Sequence, residues 1–276
     1  MRSTMLVALL SAVAAPALQA QNMRTITMSR QLEDDEEVSV DVEYGAGRFT
    51  VRSVGEGLLY RMSLRYDENR YEPIAEYSNH RLDVGVDSKR RGLLHGRSEA
   101  GELRLELGRG VPIDLDLEFG AVQADIDLGG LVLTDLDLST GASESTIDIS
   151  EPNRGRIESA SFEVGAAEFK LHNLGNLNAE RIEFDAGVGS VELGLGGEWQ
   201  SDARLTIDMG LGALELRVPE GVGIRLNKES FLTALDSEGL VKRGDTYESA
   251  DWNEADRRIT IDLDAAFGSV EVVWVR

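Results

Sequence analysis

The stretch Gly187-Val188-Gly189-Ser190-Val191-Glu192-Leu193 returns 23 residues later as Gly210-Leu211-Gly212-Ala213-Leu214-Glu215-Leu216. Each copy is a small-residue turn leading into a run in which apolar and polar residues alternate. Alternation with period two is the pattern of a β-strand with one dry and one wet face. The same unit stands at Gly120-Ala121-Val122, at Gly141-Ala142-Ser143 and at Gly165-Ala166-Ala167-Glu168-Phe169-Lys170-Leu171. The five starts, 120, 141, 165, 187 and 210, are separated by steps of 21, 24, 22 and 23 residues. Two outlying copies are Gly45-Ala46-Gly47-Arg48-Phe49-Thr50-Val51 and Ala266-Phe267-Gly268-Ser269-Val270-Glu271-Val272.

A near-constant step of ~22 residues suits one coil of a stacked β-solenoid with two or three short strands per coil. The glycines then turn each corner where neighbouring coils press together and a side chain would clash. The competing arrangement is a meandering sandwich with glycines in hairpin turns, which impose no fixed step. Outward from the repeat the alternation continues, in Ile113-Asp114-Leu115-Asp116-Leu117, Ala124-Asp125-Ile126-Asp127-Leu128 and Ile259-Thr260-Ile261-Asp262-Leu263. No 12-residue stretch carries a helical apolar stripe, and the chain has only 5 prolines. The expected class is all-β.

The ends depart from the repeat. Residues 21–110 hold long strands such as Leu59-Tyr60-Arg61-Met62-Ser63-Leu64-Arg65-Tyr66. They also hold basic residues such as Lys89-Arg90-Arg91 and Arg97, and they read as an elaborated N-terminal cap or subdomain. Residues 111–276 read as the repeat region, forming one continuous structural unit with the cap. Within it, residues 220–258 interrupt the pattern with a polar excursion from Lys228 to Arg258. The strand from Ile259 through Val275 resumes the repeat and is expected to tuck into the sheet. Caps are needed because an open stack end is an exposed sheet edge.

Composition sets the limits. The 276 residues carry 28 Lys+Arg against 50 Asp+Glu, a net charge of −22, with 42% hydrophobic residues and no cysteine. The hydrophobic content suffices for a core. Such acidity argues against nucleic acid as a partner, because phosphate contacts need clustered Lys and Arg. The absence of cysteine excludes disulfides, thiolate zinc sites and a Cys nucleophile. Residues 1–20 read as a signal peptide: Arg2, a short apolar run from Met5 to Ala15, and small-residue cleavage patterns ending at Ala17 and Ala20. The run is too short to span a bilayer, and no later segment is a transmembrane candidate. The expected mature protein is exported to the periplasm or cell surface of a bacterium.

The residues also carry a family likeness. Val111-Pro112-Ile113-Asp114-Leu115, Phe119-Gly120-Ala121 and Ser139-Thr140-Gly141-Ala142-Ser143 resemble the bacterial toast-rack family, related to the C-terminal domain of the envelope stress regulator LiaF. Glu151-Pro152-Asn153, Gly187-Val188-Gly189-Ser190, Val218-Pro219 and Phe267-Gly268-Ser269-Val270 fit the same likeness. The resemblance implies a stacked β architecture in the bacterial envelope and little chemistry. LiaF itself modulates a sensor kinase, but LiaF-type proteins carry membrane helices before this domain and the present chain shows only the signal peptide. Bacterial adhesin-type solenoids are the other comparison.

Candidate chemistry is sparse. His80, His95 and His172 are scattered, without metal-ligand spacing. Nucleophile-elbow, zinc-protease and phosphate-loop motifs are absent, and Gly45-Ala46-Gly47 precedes a strand rather than a helix, so it is no dinucleotide fingerprint. The pairs Asp114/Asp116, Asp125/Asp127, Asp135/Asp137 and Asp262/Asp264 recur along the chain. A glycosidase dyad could use two carboxyls at such spacing, but recurrence marks the wet face of each strand. Stacked carboxylates allow weak, diffuse divalent-cation binding, although the calcium β-roll motif is missing. Trp252 and Tyr247 could present a glycan platform, with packing in the cap as the plainer reading. No catalytic, cofactor or metal residue is nominated and no cofactor is expected. The expected function is a non-enzymatic envelope interaction or sensory module with an envelope protein as partner. The alternative is an adhesin or glycan-binding module.

Overall fold

Alternating side chains can be buried on one face only if the chain is extended, and nearly every described segment is. In the computed structural model the described residues are 22–88, 101–244 and 246–275, with the side chains of 230–232 excepted. The strands up to the repeat are β1 (Met23–Gln31), β2 (Val38–Val54), β3 (Leu58–Asp67), β4 (Tyr71–Ser78), β5 (Arg81–Ser88) and β6 (Gly101–Gly108). There follow β7 (Pro112–Asp127), β8 (Val132–Thr140), β9 (Glu144–Asp148), β10 (Ile157–His172), β11 (Ala179–Gly194) and β12 (Ala203–Pro219). The last are β13 (Val222–Asp236), β14 (Leu240–Arg243), β15 (Thr246–Ser249) and β16 (Arg257–Val275). The fold is all-β, and among the described residues the one helical element is a single 3-10 turn at Leu174–Leu177.

The long strands pair in parallel, and the pairing follows the sequence step. Gln123 lies opposite Glu144, and Glu144 opposite Glu168. Ala166 in turn lies opposite Val188, and Val188 opposite Leu211. Strands β10, β11 and β12 each run 16 or 17 residues without interruption. This corrects the expectation of two or three short strands per coil. Neighbouring layers bend at the same register position, so the hydrogen-bond ladder continues around the corner. Only between β8 and β9, at Gly141–Ser143, does the strand break there.

Glycine permits that bend. A Cβ on Gly187 would lie 2.7 Å from the carbonyl oxygen of Gly165, and one on Gly210 would lie 2.5 Å from that of Gly187. Gly212 and Gly268 need glycine for a second reason, with φ of 151° and 139°.

The ends were less legible. The last strand, β16, is inserted between β12 and β13, so β13 forms the layer beyond it. Much of the expected polar excursion at 220–258 is therefore a strand, Val222–Asp236, whose buried Ile224 and Leu226 continue the core. At the other end β2 lies directly on β7. Its outer edge is covered by β5 along the first half and β6 along the second. Antiparallel partners β4, β3 and β1 complete that cover.

The core is a set of columns running along the stack. Leu138, Phe162, Phe184 and Ile207 face one another layer by layer, all buried. Phe169 and Phe184 approach to 5.5 Å, and Phe49 and Phe119 to 5.4 Å. Where the chain returns between layers, asparagines fill the polar gaps. Asn153 Oδ1 accepts the N–H groups of Leu133 and Gly155, at 2.9 and 3.0 Å. Its Nδ2 donates to the carbonyls of Leu133 and Leu177, at 3.0 and 3.1 Å. Asn176 likewise donates to the Ile149 carbonyl and accepts from the Glu198 N–H. Each side chain bridges successive layers and supplies partners to backbone groups there.

Candidate functional site

Strand pairing turns sequence alternation into surface columns. Glu163 stands opposite Asp185, Asp185 opposite Asp208, Asp208 opposite Asp264, and Asp264 opposite Glu229. A second acidic column runs Asp41, Asp116, Asp137, beside the pair Asp114 and Asp135. Parallel neighbours lie ~4.8 Å apart, so the like charges are close. Partial burial first, and neighbouring carboxylates second, push Asp116, Asp137, Asp185 and Asp208 above the usual carboxylate range. Asp114 is displaced the same way for the same reasons.

Two positions beyond the carboxylate comes a small residue, Gly165, Gly187, Gly210 or, in β16, Ala266, and beyond it the middle residue of the corner. That residue is Val188 in β11, Leu211 in β12 and Phe267 in β16, and the three are in register. Their exposures are 52%, 51% and 49%, so three large apolar side chains form one ridge half open to water. Along the carboxylates runs an open groove of about 730 Å³, and in β11, β12 and β16 the ridge residue stands one position beyond its floor. Its floor is Gly165, Gly187, Gly210 and Ala266, and its wall is Glu163, Asp185, Asp208 and Asp264. The floor residues have little or no side chain, and their backbones pack closely on the layer before.

Other carboxylates are neutralised in place. Asp125 is 2.5 Å from Arg52, Glu158 2.7 Å from Arg181, Asp262 2.5 Å from Arg204 and Glu192 3.4 Å from Arg217. Among the described residues, Glu163, Asp185, Asp208 and Asp264 have no Lys, Arg or His partner within ion-pair distance.

The residues singled out from sequence are dispersed. His80 lies 3.3 Å from Asp34 and 3.5 Å from Glu36 at the N-terminal end. His172 is 4.0 Å from Glu192, far along the chain in the repeat. His95, Lys89-Arg90-Arg91 and Arg97 lie outside the described residues, as do residues 1–20. The aspartate pairs divide. Asp114, Asp116, Asp135 and Asp137 meet across β7 and β8. Asp125 and Asp127 are not merely solvated. Asp127 Oδ1 accepts the Gly129 N–H at 2.9 Å and the Ser150 hydroxyl at 2.8 Å, fixing a loop. Asp262 is paired with Arg204, while Asp264 joins the open column. Among the described residues no three His, Cys, Asp or Glu side chains converge as a metal cage.

The aromatic candidates are packed or covered. The Trp252 ring is buried, with the Arg225 guanidinium 4.2 Å and that of Arg258 6.0 Å from its centroid. Trp199 is buried and donates its indole N–H to the Leu195 carbonyl at 2.8 Å. The ridge at 188, 211 and 267 was not anticipated. Its signal was present: the middle residue of the small-residue turn grows from Ala to Val, Leu and Phe along the chain.

In-register parallel strands with acidic outer columns and an apolar corner define an all-β protein whose layers follow a recurring sequence unit. The chain belongs to the toast-rack family: the model of the N-terminal domain of toast_rack, DUF2154, matches residues 18–172 and again 159–217. None of the curated proteins matches the sequence. Among solved structures it is similar to a candidate cell adhesion protein from Clostridium sporogenes. That match has 14% identity over 92% of this chain and 100% of that chain, with a TM-score of 0.45. It is also similar to a candidate adhesin from Bacteroides fragilis, at 10% identity over 91% and 97% of the two chains, TM-score 0.37. A further match is a candidate adhesin from Parabacteroides distasonis, at 12% identity over 92% and 98%, TM-score 0.38. No described helix is long and apolar enough to cross a membrane.

Proposed function

We propose that this protein is an exported bacterial envelope module that works by binding another envelope protein, without turnover. The observation that carries this reading is the ridge of Val188, Leu211 and Phe267. Single exposed apolar residues are ordinary on a protein surface, but three in register form a contiguous strip, the usual mark of a contact surface. The family assignment supports an envelope setting, and the burial of Trp252 beneath Arg225 and Arg258 makes the glycan platform of Trp252 and Tyr247 the less favoured alternative. We propose as well that the parallel layers are coils of a β-solenoid, with the ridge as one of its corners.

The test is a photo-crosslinking amino acid placed at Leu211, compared with one at Lys170 on the second half of β10. Both are introduced into the protein in its native host. The reading requires a discrete envelope protein crosslinked from position 211, absent from position 170, and lost when Phe267→Glu is added. Equal crosslinking from both positions, or none from 211, would refute it.

A further inference from the structure

The ridge is bordered by an electrostatic field of one sign, and that field selects the chemistry of what can lie on it. Three observations combine. The apolar side chains of Val188, Leu211 and Phe267 stand at the corner, each one residue beyond the groove's floor in its strand, about half exposed. The carboxylates of Glu163, Asp185, Asp208 and Asp264 line the groove, without a basic partner among the described residues. Gly165, Gly187 and Gly210 leave the floor between them bare, so a guest backbone can approach it. On other strand faces Asp125, Glu158, Asp262 and Glu192 are matched by arginines at 2.5 to 3.4 Å, whereas the column of Asp116 and Asp137 shares the lack of a basic partner among the described residues but has no apolar ridge beside it. Here the matching cations must come from outside the chain.

We propose that the groove binds an extended segment of a partner protein in which basic and apolar residues alternate. The proposal rests on the docking reading above and specifies its partner. In an extended chain successive side chains point to opposite sides. A segment lying along the groove therefore sends one set toward the carboxylates and the other onto the ridge, with its backbone over the glycine floor. A helix radiates side chains all round and would drive some of them into that floor. From Glu163 to Glu229 the acidic column crosses four layer spacings, roughly 19 Å, which an extended chain covers in about six residues at ~3.3 Å each. Same-side residues of the guest recur every ~6.6 Å against ~4.8 Å for the layers. Long Lys and Arg side chains have the reach to absorb that mismatch while their stems cover apolar surface. A second copy of this protein is a poor guest, because an apposed copy would bring its own carboxylate column against this one.

The experiment measures binding of three labelled octapeptides of identical composition, four lysines and four valines, to the purified protein by fluorescence polarisation. One alternates Lys and Val, one places the valines at helical spacing, and one keeps lysines and valines in separate blocks. The proposal expects the alternating peptide to bind about tenfold or more tightly than the other two, and binding to weaken with salt. Two variants locate the site: Asp185→Asn with Asp208→Asn, and Leu211→Ser. Each should weaken the alternating peptide by about tenfold with its melting temperature no lower than wild type by more than a few degrees. Equal binding of all three peptides would mean charge attraction alone and would overturn the proposal, as would preference for the helical pattern, no binding, or indifference to both variants. Crosslinking of a partner at position 211 together with failure of the alternating peptide would sink this inference and leave the docking reading standing. Peptide binding without a crosslinked envelope protein would do the reverse.

Discussion

At the scale of single residues, the protein places carboxylates where stability alone would not. Asp116, Asp137, Asp185 and Asp208 each have a pKa raised by partial burial and by neighbouring carboxylates. The folded state therefore holds their protons more readily than the unfolded chain. For such groups the repulsive penalty is complete well above the raised pKa, and it is relieved as pH falls through it. The protein should thus melt at a higher temperature as pH is lowered from neutral toward the region just above the ordinary carboxylate value of ~4. Asp34 and Glu158 shift the opposite way through His80 and Arg181, but both are fully exposed and solvent screens their contribution. Asp208→Asn should raise the melting temperature at neutral pH and shrink the gain on acidification. Thermal melts across this pH range decide the matter, and a melting temperature that falls monotonically with acid would contradict the assignment. Which aspartates would be strained was not legible from sequence. Asp125 and Asp208 sit in similar alternating runs, yet one meets Arg52 across the layers and the other meets only acids.

At the scale of the element, the long bent strand depends on a column of glycines. A Cβ on Gly187 would stand 2.7 Å from the Gly165 carbonyl oxygen, tighter than non-bonded atoms tolerate. At Gly45, in the outlying copy near the start of the stack, an added Cβ meets nothing within 4 Å. The same substitution should therefore have opposite consequences in two copies of one motif. Gly187→Ala should destabilise by about 1–3 kcal/mol, because the layers must separate. Gly45→Ala should stay within about 0.5 kcal/mol of wild type. Urea unfolding of the two variants measures both, and equal effects would mean that the corner is not close-packed. The sequence marked all these glycines alike. The difference lies in the layer beneath: the Cβ of Gly187 would face the Gly165 carbonyl of the preceding layer, whereas Gly45 is approached only from its other side, by Gly120, which is a matter of stacking order.

At the scale of the whole molecule, the register predicts a tolerance unusual in a folded protein. Val188 and Leu211 occupy equivalent positions in adjacent layers, 23 residues apart. Deleting residues 188–210 joins Gly187 to Leu211 and so recreates the corner with one layer fewer. In a stack of nearest-neighbour layers that deletion should leave a cooperatively unfolding β protein, while deleting only residues 188–198, about half a layer, should abolish folding by putting the dry and wet faces out of register. Circular dichroism with thermal unfolding distinguishes the two. Loss of structure in both deletions would count against the proposed solenoid. The strand order supplies a limit: β16 lies between β12 and β13, so the layers at that end depend on the last strand being in place.

Sequence alone determined the all-β class, the ~22-residue step and the wet and dry faces, because side-chain alternation and turn glycines are local properties of the chain. It also carried the family likeness that the match over residues 18–217 established. Tertiary structure decided the rest. Only pairing brings Asp208 against Asp185 and Asp264, or sets Val188, Leu211 and Phe267 in one ridge. Only pairing inserts β16 ahead of β13 and makes Asn153 a bridge between layers rather than a loop residue. Each of these is a contact between residues 20 or more positions apart. A local pattern does not encode its own neighbour, so the site became visible only when the layers were stacked.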